Sequence, residues 1–144
     1  MNDEIEILKY IYTNIKIQQN VLYKLLRRKE IKDDTYQYIK NLVLEYKKIT
    51  LSSKRMLEVR IKKYSEEPNI LEDIATSLGA TMNIATKNDN DEFLILVRNN
   101  SEINLMDLER LLIENKIKSK TLEKLVERIE KIEKKNIESI NLFL

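Results

Sequence analysis

An all-α chain, folded as an antiparallel up-and-down bundle of four long helices, is what this sequence predicts, and three observations carry the prediction. Glycine and proline occur once each in 144 residues, whereas sandwiches, barrels and doubly wound sheets spend many of both on tight turns. Apolar residues make up 42% of the chain and recur mainly three or four positions apart, the period of a helix with one buried stripe. Cysteine is absent, so no disulfide framework is available, and a chain of this length can bury an ordinary core as one domain spanning residues 1–144.

The first helix is expected to open at Asp3, whose spacing to Glu6 is that of a capping box, and to run to about residue 28. Ile5, Leu8, Ile11, Ile15, Leu22 and Leu25 form its apolar stripe. Arg27, Arg28 and Lys29 then place cations where the helix dipole favours them. Asp34 and Gln37 repeat the capping-box spacing and start a second helix over about 35–64, with Ile39, Leu42, Val43, Tyr46, Ile49, Leu57 and Ile61 on one face. Thr50, Ser52 and Ser53 interrupt that face. Small residues there let a neighbouring helix approach, and the alternative is a buried hydrogen-bonding site. Pro68 stops the helix, because the residue before proline is pushed out of the helical region.

A third helix starts at Asn69 with Glu72 in its first turn, and Ile70, Ile74, Leu78 and Met82 give its stripe. Gly79 lies in the one patch rich in small residues, which predicts close packing or a bend. An interruption of this helix is expected near Gly79 or Asn88. Residues 93–97 are a continuous apolar run that, taken alone, reads as a short buried strand. No second strand is visible to pair with it, so the expectation is a helix buried nearly all round, capped by the Asn/Asp cluster of 88–91 or continuing the third helix after a kink. Asn99 and Asn100 close that segment. Ser101 or Asn104 then caps a short extra helix carrying Leu105, Leu108, Leu111 and Leu112 to about residue 115.

The last helix runs from about Ser119 with a heptad-like seam of Leu122, Leu125, Ile129, Ile132, Asn136 and Phe143. Asn136 is the polar member of that seam, the kind of residue that sets register or partner number. The acids and lysines around it, among them Glu123, Lys124, Glu127, Arg128, Glu130, Lys131, Glu133 and Lys134, read as a solvated face laced with ion pairs.

The absences restrict chemistry sharply. With neither Cys nor His there is no thiolate nucleophile, no zinc-finger-type site, no imidazole base and no Ser-His-Asp triad. No catalytic residue, cofactor or metal site is therefore assigned. The acidic opening Asp3, Glu4 and Glu6 stands where a signal peptide carries a basic stretch, and no apolar run approaches the ~18 residues of a membrane span. A cytoplasmic location without membrane association is expected. Glu45 and either Glu127 or Glu130 are the acids considered for an inward position, with a solvated face as their simpler explanation. Arg27, Arg28, Lys29, Lys54, Arg55, Arg60, Lys62, Lys116, Lys118 and Lys120 suggest nucleic acid, but 24 acids against 26 basic residues leave a weak overall field. Tyr10, Tyr12, Tyr23, Tyr36 and Tyr38 are a possible partner interface, set against tyrosines that merely edge the core with their hydroxyls in water.

The helix order, the proline-terminated second helix, the stretch ATSLGATMNIATKNDNDEF (75–93) and the ending EKKNIESINLFL (133–144) together resemble a group of small helical proteins of spore-forming Firmicutes that look like relatives of the ferritin-like four-helix bundle. The resemblance implies an antiparallel ferritin-like bundle and helical character for residues 91–99. It does not carry over iron chemistry. A di-iron bundle draws a Glu from each of two helices and a Glu-x-x-His from each of two others, while here Glu45 is followed three positions on by Lys48 and Glu127 by Glu130. The expected function is that of a non-enzymatic helical bundle for protein–protein interaction or self-association, as a homo-oligomer or with a protein partner. The alternatives are a degenerate ferritin-like protein holding a metal or small ligand in the bundle, and a nucleic-acid-associated protein using the basic clusters.

Overall fold

The computed structural model describes residues 3–27, 31–64 and 90–144, and every regular element among them is an α-helix. These are α1 (Asp3–Leu26), α2 (Asp33–Tyr64), α3 (Asn90–Glu114) and α4 (Lys120–Phe143). The expected helix start at Asn69, the stop at Pro68 and the interruption near Gly79 or Asn88 lie outside the described residues.

Each boundary has a local cause. Asp3, Glu4 and Glu6 occupy the first turn of α1, where negative charge meets the positive helix end. Asp33 and Asp34 do the same for α2, where Asp34 also accepts a 2.8 Å hydrogen bond from the backbone of Thr35. Ser119 caps α4 in extended conformation and accepts from the Leu122 backbone N–H. The connection into α4 is tied down by α1. Glu4 accepts from the backbone N–H groups of Lys118 and Ser119 at 3.0 and 2.9 Å, and Asp3 from that of Lys116 at 3.2 Å.

Residues 93–97 belong to a helix, as expected, although Ile95 is exposed and the helix is not buried all round. One expectation is corrected within α3. The short extra helix does not exist as a separate element, since α3 continues without a break from Asn90 to Glu114. Asn99, Asn100, Ser101 and Asn104 looked like turn and cap residues. An asparagine or serine inside a helix costs only a fraction of a kcal/mol, roughly 0.5. Ser101 and Asn104 are buried, and Ser101 takes its hydrogen bond from another helix. Tertiary partners thus outweigh the local preference.

α1 and α2 share the largest interface, α4 packs on α3, and α1–α3 and α2–α4 contacts close the arrangement. One apolar core draws on all four helices, including Leu8 and Ile15 of α1, Ile39 and Ile49 of α2, Leu108 of α3 and Ile129 of α4. The buried hydroxyls in the middle of α2 turn back on their own helix. Thr50 donates back to the Tyr46 carbonyl at 2.8 Å and Ser53 to the Thr50 carbonyl at 3.0 Å. Both are buried, and Thr50 also meets Gln19 of α1 at 3.1 Å.

Candidate functional site

The inward seam of α4 is Leu122, Val126, Ile129, Glu133, Asn136 and Ile140, a run of alternating four- and three-residue steps that stays on one face. Five of its positions suit a core or a register-setting amide. The sixth, Glu133, is a carboxylate with no solvent-exposed surface at all. It was expected on the charged outer face with Lys131 and Lys134, and the structure overturns that. The signal was in the sequence: Glu133 lies four after Ile129 and three before Asn136.

Each of the other helices sends polar groups toward it. Tyr46 of α2, itself completely buried, donates its phenolic proton to Glu133 Oε1. Ser101 and Asn104 of α3, one turn apart, and Gln18 of α1 lie close enough to stabilise the charged form of Glu133. Even so, burial dominates and pushes the Glu133 carboxyl above its ordinary value. Burial and the adjacent carboxylate together push the Tyr46 phenol well up, so it remains a proton donor. Beside this pair, Asn136 donates to Ser101 at 2.7 Å and accepts from Tyr38, whose ring packs at 5.2 Å from Phe143. Burial, aided by the charge of Glu133, pushes Tyr38 up to about 12. Asn136 therefore bridges α4 to α2 and α3.

The cluster is not internally complete. Glu133 Oε2, Asn104 Nδ2 and Gln18 Oε1 are buried without a hydrogen-bond partner of normal geometry. Unsatisfied buried polar atoms cost on the order of 1–3 kcal/mol each, which favours a further polar contact at this point. A groove of about 250 Å³ between α1 and α3 lies beside it, since Gln18 and Asn104 line it as well. Tyr10, Asn14 and Asn100 add polar lining, and Ile17, Val21, Leu96 and Ile103 form apolar walls.

The tyrosines divide. Tyr10 is half-buried and donates to Asp107 at 3.2 Å, and Tyr38 points at Asn136, so these hydroxyls turn into the protein. Tyr12 and Tyr36 are half-buried, and Tyr23 is the most exposed of the set at 37%. The acids considered for inward positions face outward. Glu45 pairs with Arg128 at 2.8 Å and with Lys48 at 3.6 Å, and the Arg128 guanidinium holds its carboxyl below the usual value. Glu127 is exposed and Glu130 is half-buried. Among the described residues, no three His, Cys, Asp or Glu side chains lie together as a metal site would need. The basic positions Lys62, Lys116, Lys118 and Lys120 are exposed, while Arg60 is paired with Glu4 at 3.1 Å. No helix of the described residues is long and apolar enough to cross a membrane. A lone buried carboxylate among amides and hydroxyls can accept hydrogen bonds, hold one positive charge and exchange a proton. No protein-family model matches this chain, and neither a curated protein nor a solved structure matches it.

Proposed function

We propose that this chain is a non-enzymatic binding protein, a ferritin-like bundle without di-iron ligands that takes a small molecule into the groove between α1 and α3. The observation that carries the reading is Glu133, fully buried with Oε2 unpartnered, behind two amide side chains that also line the groove. Buried polar groups are normally satisfied, and an open groove beside unsatisfied ones is the ordinary setting of a ligand site.

The antiparallel arrangement within this reading is supported by the pairing along each contact. Glu4 meets Arg60 while Gln19 meets Thr50, and Tyr10 meets Asp107 while Gln18 meets Asn100. Tyr38 meets Asn136 while Tyr46 meets Glu133, and Arg98 meets Asn141 while Ser101 meets Asn136. In every case one partner number rises as the other falls. In the resulting order α2 and α3 point the same way, which differs from a strictly alternating up-and-down chain and is the order of ferritin-like bundles with one crossover.

The test is a small-molecule screen against the full chain, read by NMR at the side-chain amides of Gln18, Asn100 and Asn104. Ligands that move these three signals together support the site. A diverse screen that moves none of them overturns it.

A second reading, self-association, is favoured by one feature. Ile95, Met106 and Ile113 are exposed on a single outward strip of α3, with Met106 at 69% and Ile113 at 81%. This strip supports the reading better than the tyrosines do, since Tyr10 and Tyr38 spend their hydroxyls on Asp107 and Asn136.

A further inference from the structure

Resting on the groove as a binding site, we propose that its occupant is a small ammonium-headed molecule with an apolar body, its cationic head seated at Gln18 and Asn104 and its charge balanced by Glu133. Three observations select this class.

The first is charge. None of the side chains lining the groove is cationic, and none is anionic. The carboxylates next to it are Glu133 behind the two amides, and Asp107, which accepts from Tyr10 at the groove. Asp107 shares its charge with Arg110 at 3.6 Å, whereas the described side chains within hydrogen-bonding reach of Glu133 are a phenol, a hydroxyl and two amides. A buried carboxylate without a counter-ion is costly when charged, and a cation arriving at this floor removes that cost. A carboxylate or phosphate ligand meets the opposite situation.

The second is hydrogen bonding. Asn104 Nδ2 lies within reach of Glu133, which leaves Gln18 Oε1 as the buried acceptor beside the groove without a donor. An occupant that supplies donors there is favoured over one that supplies acceptors. A primary ammonium offers three N–H donors and no acceptor.

The third is shape. Ile17, Val21, Leu96 and Ile103 wall the groove with hydrocarbon, and a volume of about 250 Å³ lies below the range of drug-sized pockets. A short alkyl chain fits those walls where a sugar or nucleotide does not.

The test compares hexylammonium, hexanol and hexanoate as probes of one size, titrated calorimetrically at pH 7 against the full chain. Hexylammonium binds at least about tenfold more tightly than hexanol, hexanoate does not bind, and Glu133→Gln brings the amine down to the level of the alcohol. Ile103→Lys changes an exposed wall residue and is a second variant that retains the fold. It weakens amine binding far more than hexanol binding, because the added ammonium repels a cationic head. Equal affinity for amine and alcohol, or a preference for hexanoate, overturns the cationic class while the groove remains a binding site. Failure of all three probes overturns both, leaving the cluster as the seat of a bridging water.

Discussion

The phenol of Tyr46 on α2 donates its proton to the carboxylate of Glu133 on α4, with both side chains completely shielded from solvent. Eighty-seven positions separate the two residues in the chain, so their meeting depends on how the helices assemble. The pair places an acid inside the core, where its protonation and the stability of the fold are linked.

Glu133 makes the fold pH-sensitive in a defined direction. Its folded carboxyl binds a proton more readily than the ordinary value of 4.5, because burial penalises the charge. Between that value and the raised folded one, the native state holds more protons than the unfolded state, so stability falls as pH rises through this window. Glu133→Gln removes this fall, because a neutral amide still accepts from Tyr46. Tyr46→Phe instead leaves the buried carboxylate without its donor and costs about 1–3 kcal/mol at neutral pH. Urea midpoints across pH check both, and superimposable pH profiles of wild type and Glu133→Gln would end the argument.

Asn136 supplies a second prediction. Its amide satisfies Ser101 on one side and Tyr38 on the other. Asn136→Leu adds apolar volume but strands two hydroxyls, costing about 1–3 kcal/mol in chemical denaturation. Combining it with Ser101→Ala recovers part of the loss, since one stranded group disappears. A purely additive double mutant would show that the contact carries no coupling.

Glu4 acts with the opposite sign from Glu133. Burial raises its pKa, but the N–H groups of Ser119 and Lys118 and the Arg60 guanidinium together outweigh burial and leave it lowered. Its contribution is present above the ordinary value of 4.5 and is lost as pH falls through the lowered folded value. Glu4→Gln costs on the order of 1 kcal/mol at pH 7 after solvent screening, and much less in strong acid. Amide exchange at Lys118 and Ser119 quickens in the same variant. Unchanged exchange there would mean the Glu4 contacts do not hold the α3–α4 connection.

The outward strip of α3 makes oligomeric state a direct readout. Wild-type protein is expected to run larger than a monomer in size exclusion with light scattering. Met106→Lys with Ile113→Lys returns it to monomer while its helical circular dichroism stays the same, because both positions are exposed. A wild-type monomer at every concentration tested would remove the self-association reading.

Helix type and the positions of three helices were legible from spacing and caps, as at Ser119, because a 3.6-residue period and a capping hydroxyl are local properties. The inward place of Asn136 was legible for the same reason. Glu133 lies on the same seam one turn earlier, yet its neighbours Lys131 and Lys134 are exposed and charged, and an acid in such company reads as surface. Only the approach of Tyr46, Ser101, Asn104 and Gln18 from three other helices gives the carboxyl a buried alternative to water. Ser101 and Asn104 show the same division, since locally they favour a cap and tertiary partners keep them inside α3.

One Gly, one Pro, a repeating apolar stripe, and no Cys or His to build the usual catalytic or metal centres are enough to make the chain helical and to limit its chemistry. Which polar residues enter the core, and what they surround, depends on how the helices pack. Stripe and cap are set by residues within one turn of each other. A buried carboxylate is set by the balance between desolvation and partners that lie as much as 115 positions away in the chain, as Gln18 lies from Glu133.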